Sequence, residues 1–354
     1  MITPNPLLGT LLHGVGGFCA AIFYTPNHKA KKWSWETYWL AQASFSWLLV
    51  PIIGAMLTIP HLAQVMGESP RSAMVKSFLL GMAYGIGGTT FGMAIRYIGY
   101  SLTYSISVGI SSILGTLLPP LMDGKLGELV HRPGGMVVMG GIALGAIGIA
   151  LCGYAGLLKE RGISSGSSKS TEFSIAKGVP LCIVAGLLAA VFNFSLLAGQ
   201  PIADVAAKYG AGHLMSNAIY PFAMGGAFVS TALYCLFLGK RNRTIAEFTT
   251  VDPKLKRALP LNYMLAAIGG TLWYLQFFFY GLGHVRMGSY MFSSWAIHMV
   301  LLIFFSSLTG ILMKEWKECR FGTKFAIGIA LFWLIAAVLV IGYGNYIGTA
   351  EATQ

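Results

Sequence analysis

The sequence predicts an all-α integral membrane protein of ten transmembrane helices, arranged as two inverted five-helix repeats. Three observations carry that reading. The 24 Lys and Arg and 12 Asp and Glu side chains all fall outside ten long windows. Every window approaches or exceeds the roughly 20 apolar residues that cross a hydrocarbon core of about 30 Å. A faint likeness, preserved in order, links the first five windows to the last five.

The windows are 1–28, 37–67, 77–95, 97–122, 133–158, 178–203, 209–239, 258–285, 287–313 and 325–350. In lipid, each backbone N–H and C=O must find its partner inside the protein, so each window reads as a helix. The third holds Gly81, Gly85, Gly88 and Gly92 on one helical face, and the fifth holds Gly141, Gly145 and Gly148. Small-residue faces of this kind let neighbouring backbones approach. Between the sixth and seventh windows, Ile202, Val205, Ala206 and Tyr209 recur at helical spacing, which predicts a short helix lying in the membrane interface.

The likeness between halves pairs Gly17, Ala20, Ala21 and Phe23 with Gly186, Ala189, Ala190 and Phe192. It pairs Ser111, Ser112 and Gly115 with Ser306, Ser307 and Gly310, and Gly153-Tyr154 with Gly342-Tyr343. A tandem unit with an odd number of spans inserts its second copy upside down, and inverted repeats are a transporter architecture. The organisation expected is a first repeat over 1–158, a flexible cytoplasmic Gly/Ser linker over 159–177 and a second repeat over 178–350.

Charged residues make up 10% of the chain and hydrophobic residues 55%, against about 25% charge in soluble proteins. The net charge of +12 sits in short loops and builds no long basic face, so no nucleic-acid partner is expected. Membrane lipid is the expected surrounding. The cations divide unevenly: the loops after helices 1, 3, 5, 7 and 9 hold 18 of the 24. The cation-rich side is expected to be cytoplasmic, which puts both termini in the periplasm. No Lys or Arg precedes the first apolar run, so no cleaved signal peptide is expected. Cys19, Cys152, Cys182, Cys235 and Cys319 show no paired spacing and read as small apolar residues, with no metal site.

Titratable groups inside a membrane are functional candidates. His13 and His298 lie well inside their windows, and histidine changes charge near neutral pH. Each reads either as a proton-coupling group or as a satisfied histidine of the bundle core. Glu36, after Lys29, Lys31, Lys32, Trp33 and Trp35, reads either as an interface anchor or as a carboxylate that exchanges a proton. His284 and Arg286, at a window end, are expected to be solvated or to snorkel. The run Trp273-Tyr274-Leu275-Gln276-Phe277-Phe278-Phe279-Tyr280 places an amide among six aromatic rings. Lipid-facing aromatics alone would explain the rings but not Gln276, since a buried amide needs partners; a sugar supplies hydroxyls for Gln276 and C–H faces for Trp273 and Tyr274. Asn193 is a second intramembrane amide, and Tyr24 aligns with it in the first half; Trp295 lies one turn before His298. These six residues, Gln276, Trp273, Tyr274, Asn193, Tyr24 and Trp295, form the candidate substrate site. The sequence holds no phosphate-binding loop and no nucleotide fingerprint, and no window holds a carboxylate pair, so an ATP-driven pump and an enzyme are excluded. No cofactor is expected.

Lys31-Lys32-Trp33-Ser34-Trp35-Glu36-Thr37, the aromatic octet 273–280, Gly283-His284, Ser294-Trp295 with His298-Met299, and Lys314-Glu315-Trp316 together resemble the L-rhamnose–proton symporter family. The resemblance runs from the first helix to about Glu318. It implies a ten-helix carrier of the drug/metabolite transporter superfamily, in a bacterial inner membrane, taking up L-rhamnose or a related sugar with a proton as coupling ion. The sugar is expected between helices 1, 6, 8 and 9. The rival readings are a metabolite or amino-acid exporter of the same superfamily and a non-transporting membrane sugar sensor.

Overall fold

The computed structural model describes residues 4–98, 100–164, 174–249 and 256–351. Among them there is no strand, and ten helices are long and apolar enough to span a membrane. They are α1 (Pro6–Asn27), α2 (Trp35–Thr58), α3 (Arg71–Ile95), α4 (Leu102–Met122), α5 (Gly135–Lys159), α6 (Ile175–Lys208), α7 (Gly212–Asn242), α8 (Leu259–His284), α9 (Met291–Leu312) and α10 (Phe321–Thr349). Each follows one predicted window. Large apolar side chains such as Leu57, Phe321 and Leu339 stand exposed, the outward pattern of a protein solvated by hydrocarbon.

The chain forms two compact units, and the boundary falls inside α1, α3, α6 and α8. The first unit takes Met1–Ala21, Gly87–Asn193 and Phe279–Gln354. In it α5 and α10 pack backbone to backbone. A methyl group added at Gly141 would lie 2.8 Å from the Ile341 nitrogen, and one at Gly148 would lie 3.1 Å from the Leu334 nitrogen. The predicted small-residue face of α5 is therefore a packing face. At the end of α5, buried Lys159 pairs with Glu315 at 2.9 Å and lies 5.0 Å over the Trp316 ring, which ties the Lys314-Glu315-Trp316 segment to that helix. The α5 helix runs on to Ser164, so the proposed linker begins as helix; residues 165–173 lie outside the described residues.

The second unit takes Ile22–Ile86 and Phe194–Phe278. Here α3 meets α7 through Gly81 and Gly85: a methyl at Gly81 would sit 1.9 Å from the Ala223 carbonyl oxygen. Ser230 Oγ donates to the Met82 carbonyl across this contact, at 2.8 Å. The predicted short helix exists as Gln200–Lys208. Its apolar face is not laid on lipid: Ile202, Val205 and Ala206 are buried with Ala55, Ile59 and Val65. Between α2 and the segment after α7, Glu247 accepts from the Ser34 backbone N–H and hydroxyl at 2.7 and 2.8 Å.

Candidate functional site

In the first unit, α1 reaches its neighbours through two glycines. A methyl at Gly9 would stand 3.0 Å from the Gly283 carbonyl oxygen, and one at Gly17 would stand 3.0 Å from the backbone of Leu301 and Leu302. Residues i, i+4 and i+8 share one helical face, so His13, midway between Gly9 and Gly17, enters the same contact. Its ring rests on Gly283, where a methyl would lie 2.9 Å from the imidazole. His13 is fully buried, and neither ring nitrogen has a hydrogen-bond partner.

Tyr280 stands at the centre of the cluster. Its ring centroid lies 5.3 Å from His13, 5.4 Å from His298, 5.6 Å from His284 and 5.6 Å from Trp295. His13 and His298 are 6.0 Å apart. The Tyr280 hydroxyl donates to Asn193 Oδ1 at 3.4 Å, and Asn193 Nδ2 donates to the Gly115 carbonyl at 2.7 Å. Trp295 is held in turn by its indole N–H, which donates to the Ser111 carbonyl at 3.0 Å. Gly115 makes room for it: a methyl there would sit 2.4 Å from Trp295 Nε1. Helices α1, α4, α6, α8 and α9 thus converge on one tyrosine, with three imidazoles, one amide and one indole around it.

The structure brings His13, His298, Asn193 and Trp295 together. Tyr280, a member of the aromatic octet, is not among the sequence candidates, and His284, expected in solvent, is half-buried and stacked on it. Spacing held the missing signal: Gln276, Tyr280 and His284 recur every fourth residue, which places them on one face of α8. Arg286 lies just past the end of α8. Its guanidinium turns back to donate to the Leu282 carbonyl at 2.5 Å, where a helix C-terminus favours a cation.

The remaining candidates belong to the second unit. Trp273 packs against Phe23 at 4.2 Å and Trp47 at 5.8 Å. Tyr274 lies over Gly54 and 6.0 Å from Tyr220. Gln276 is buried, one turn beyond Trp273. Tyr24 follows α1's regular turns and lies 6.4 Å from Trp39. Glu36 is buried at the start of α2, and its Oε1 accepts from Asn242 Nδ2 and Thr244 Oγ1, both at 2.9 Å.

The geometry is that of a buried cluster of imidazoles, an amide and aromatic rings among helices long enough to span a membrane. The L-rhamnose-proton symport protein family matches residues 3–347. The chain belongs to this family. Its match extends past Glu318, where the motif resemblance ended, and takes in all of α10's first turns and most of its length. The chain is 34% identical over 343 residues to the L-rhamnose-proton symporter of Yersinia pestis (strain Pestoides F), covering 96% of this chain and 98% of that one. It is 33% identical over 340 residues to the L-rhamnose-proton symporter of Mannheimia succiniciproducens, with the same coverage. As a member of a symport family, the protein is a transporter and not an enzyme.

Proposed function

We propose that this family member carries L-rhamnose, or a closely related sugar, together with a proton across a bacterial inner membrane by alternating access. The observation that carries the reading is the encirclement of Tyr280 by His13, His284 and His298, with Asn193 on its hydroxyl. A proton carrier needs a group that changes charge near neutral pH, and imidazole is that group. Two imidazolium charges 6.0 Å apart repel by about 3 kcal/mol at an effective dielectric of 20. The His13–His298 pair is therefore suited to hold one proton at a time.

Alternating access draws support from the unit boundaries. The cuts at Ala21/Ile22 and Ile86/Gly87 recur in the same order at Asn193/Phe194 and Phe278/Phe279, in α1 and α3 of the first five helices and in α6 and α8 of the second five. Two inverted repeats would generate that pattern. The cation bias supports periplasmic termini.

The test is sugar-induced alkalinisation of a weakly buffered cell suspension, with H298Q as the variant. Wild type should raise external pH on addition of L-rhamnose. H298Q should keep counterflow of labelled sugar and lose accumulation against a gradient. Sugar entry with flat pH and no sodium requirement would overturn proton coupling.

A further inference from the structure

The second unit holds a set of indoles that the histidine cluster does not explain. Trp39, Trp47 and Trp273 stand mutually perpendicular: 6.4 Å and 84° between Trp39 and Trp47, 5.8 Å and 81° between Trp47 and Trp273, 6.5 Å and 81° between Trp39 and Trp273. Trp35 stacks on Trp39 at 5.5 Å. Trp39 and Trp47 are 3% and 2% exposed, so they are not an interfacial aromatic belt.

Ring packing accounts for the rings and leaves the nitrogens unexplained. The buried Nε1 atoms of Trp35, Trp39 and Trp47 have no hydrogen-bond partner, and neither has the buried Gln42 Oε1. Two other indoles are satisfied: Trp33 donates to the Glu247 carbonyl and Trp295 to the Ser111 carbonyl, both at 3.0 Å. A phenylalanine would pack edge to face as well as tryptophan does. Three unmatched donors and one unmatched acceptor in one cluster therefore call for a ligand with several acceptors and at least one donor.

The backbone is shaped to assemble this set. Trp35, Trp39 and Gln42 share one face of α2 at i, i+4 and i+7. On a regular helix, Trp47, twelve residues after Trp35, would turn away from that face. Residues Ser44–Leu49 form a π-turn instead, and its extra residue per turn swings Trp47 back into line. The cause is local: Pro51 has no N–H for the carbonyl four residues earlier, which is that of Trp47. Single π-turns inside α-helices are frequent at functional sites. The set runs inward from the first residue of α2. Trp47 lies about 18 Å along α2 at 1.5 Å per residue, inside a hydrocarbon core of about 30 Å. On α8, Gly269, one turn before Trp273, lets Gln42 approach: a methyl there would lie 3.0 Å from Gln42 Oε1.

We infer that Trp35, Trp39, Trp47 and Gln42 form a hydroxyl-recognising sugar subsite, in which indole N–H groups donate to ring hydroxyls, Gln42 Oε1 accepts one hydroxyl proton, and the Trp273 face meets C–H groups. The ligand class is a pyranose. The inference rests on the sugar-transport reading and adds the residues that read the sugar. None of the four stood among the candidates drawn from sequence.

The test is equilibrium binding of labelled L-rhamnose, L-fucose and D-glucose to detergent-purified full-length protein, with W39F, W47F and Q42L. The Phe variants keep a ring and remove only the N–H and part of the indole. Each variant that folds should bind the preferred sugar about 5- to 10-fold more weakly, the worth of one neutral hydrogen bond, whatever the cavity left by the smaller ring takes from the melting temperature. Monodeoxy analogues sharpen this: each variant should lose the wild type's discrimination at one hydroxyl and keep it at the others. A lowered melting temperature with unchanged affinity in all variants that fold would make the cluster a packing element and overturn the inference. Wild type that binds none of the three sugars would overturn it as well. Wild type that rejects L-rhamnose but binds another of the three, more weakly in W39F, would sink the rhamnose reading and uphold the subsite.

Discussion

Gly115→Ala places one methyl group at the joint of the histidine–tyrosine cluster. The added carbon would stand 2.4 Å from Trp295 Nε1 and 2.7 Å from Trp295 Cδ1. Ordinary carbon contacts lie at 3.5–4.0 Å, so the indole must withdraw by about 1 Å. Its hydrogen bond to the Ser111 carbonyl, 3.0 Å in the native protein, would stretch beyond bonding distance. The Gly115 carbonyl also accepts from Asn193, so the shift reaches the amide that Tyr280 donates to. Overpacking of this kind costs about 1–3 kcal/mol, and losing the indole bond adds about 1 kcal/mol. A double-mutant cycle with Trp295→Phe probes the clash, because phenylalanine lacks Nε1, the atom nearest the added methyl. Thermal unfolding in detergent should show G115A destabilised by about 2–4 kcal/mol. G115A/W295F should be less destabilised than the sum of the singles by at least about 1 kcal/mol. Counterflow of labelled sugar should fall in G115A and partly recover in the double variant. Strict additivity, or a G115A protein as stable as wild type, would refute the packing argument and with it the claim that Gly115 holds the cluster's geometry.

Two further outcomes follow from charges outside that cluster. Lys159 is 8% exposed and Glu315 38% exposed, so the partners of this pair are not equivalent: E315A leaves a buried ammonium with only the Trp316 ring, whereas K159M leaves a half-solvated carboxylate. Thermal melts should show E315A losing about 1–3 kcal/mol and K159M less than about 1 kcal/mol; the reverse order would contradict the burial. Glu36 uses one carboxylate oxygen to accept from Asn242 and Thr244, and Gln keeps such an oxygen. E36Q should therefore retain wild-type stability and E36A lose about 1–3 kcal/mol, while an E36Q protein whose uptake no longer varies with pH would give Glu36 a part in moving the proton.

Much of the fold was legible because lipid imposes a severe rule. A chain that must satisfy its own backbone leaves charges only at the ends of its helices, and the positions of Lys76, Arg132, Lys177 and Arg257 punctuate α3, α5, α6 and α8 without any structural input. Glycine spacing in α5 anticipated a packing face, although not that α10 would fill it. The site was legible in its parts. His13, Asn193, Trp295 and His298 stood out as polar groups inside apolar windows, and they meet. Tyr280 escaped because an aromatic in a membrane helix is unremarked by composition. Trp39 and Trp47 escaped for the same reason, and their alignment depends on a π-turn that helical periodicity does not anticipate.

The sequence by itself determined that ten helices cross a membrane and which side chains are too polar to face lipid, because the cost of an unpaired charge or amide in hydrocarbon acts on each residue alone. It also held the motifs that place the chain in its family. Only the tertiary structure decided which of those polar groups share a neighbourhood. That depends on where backbones can touch, at Gly9, Gly17, Gly115 and Gly283, and contact between residues hundreds of positions apart is a property of packing that no single helix carries.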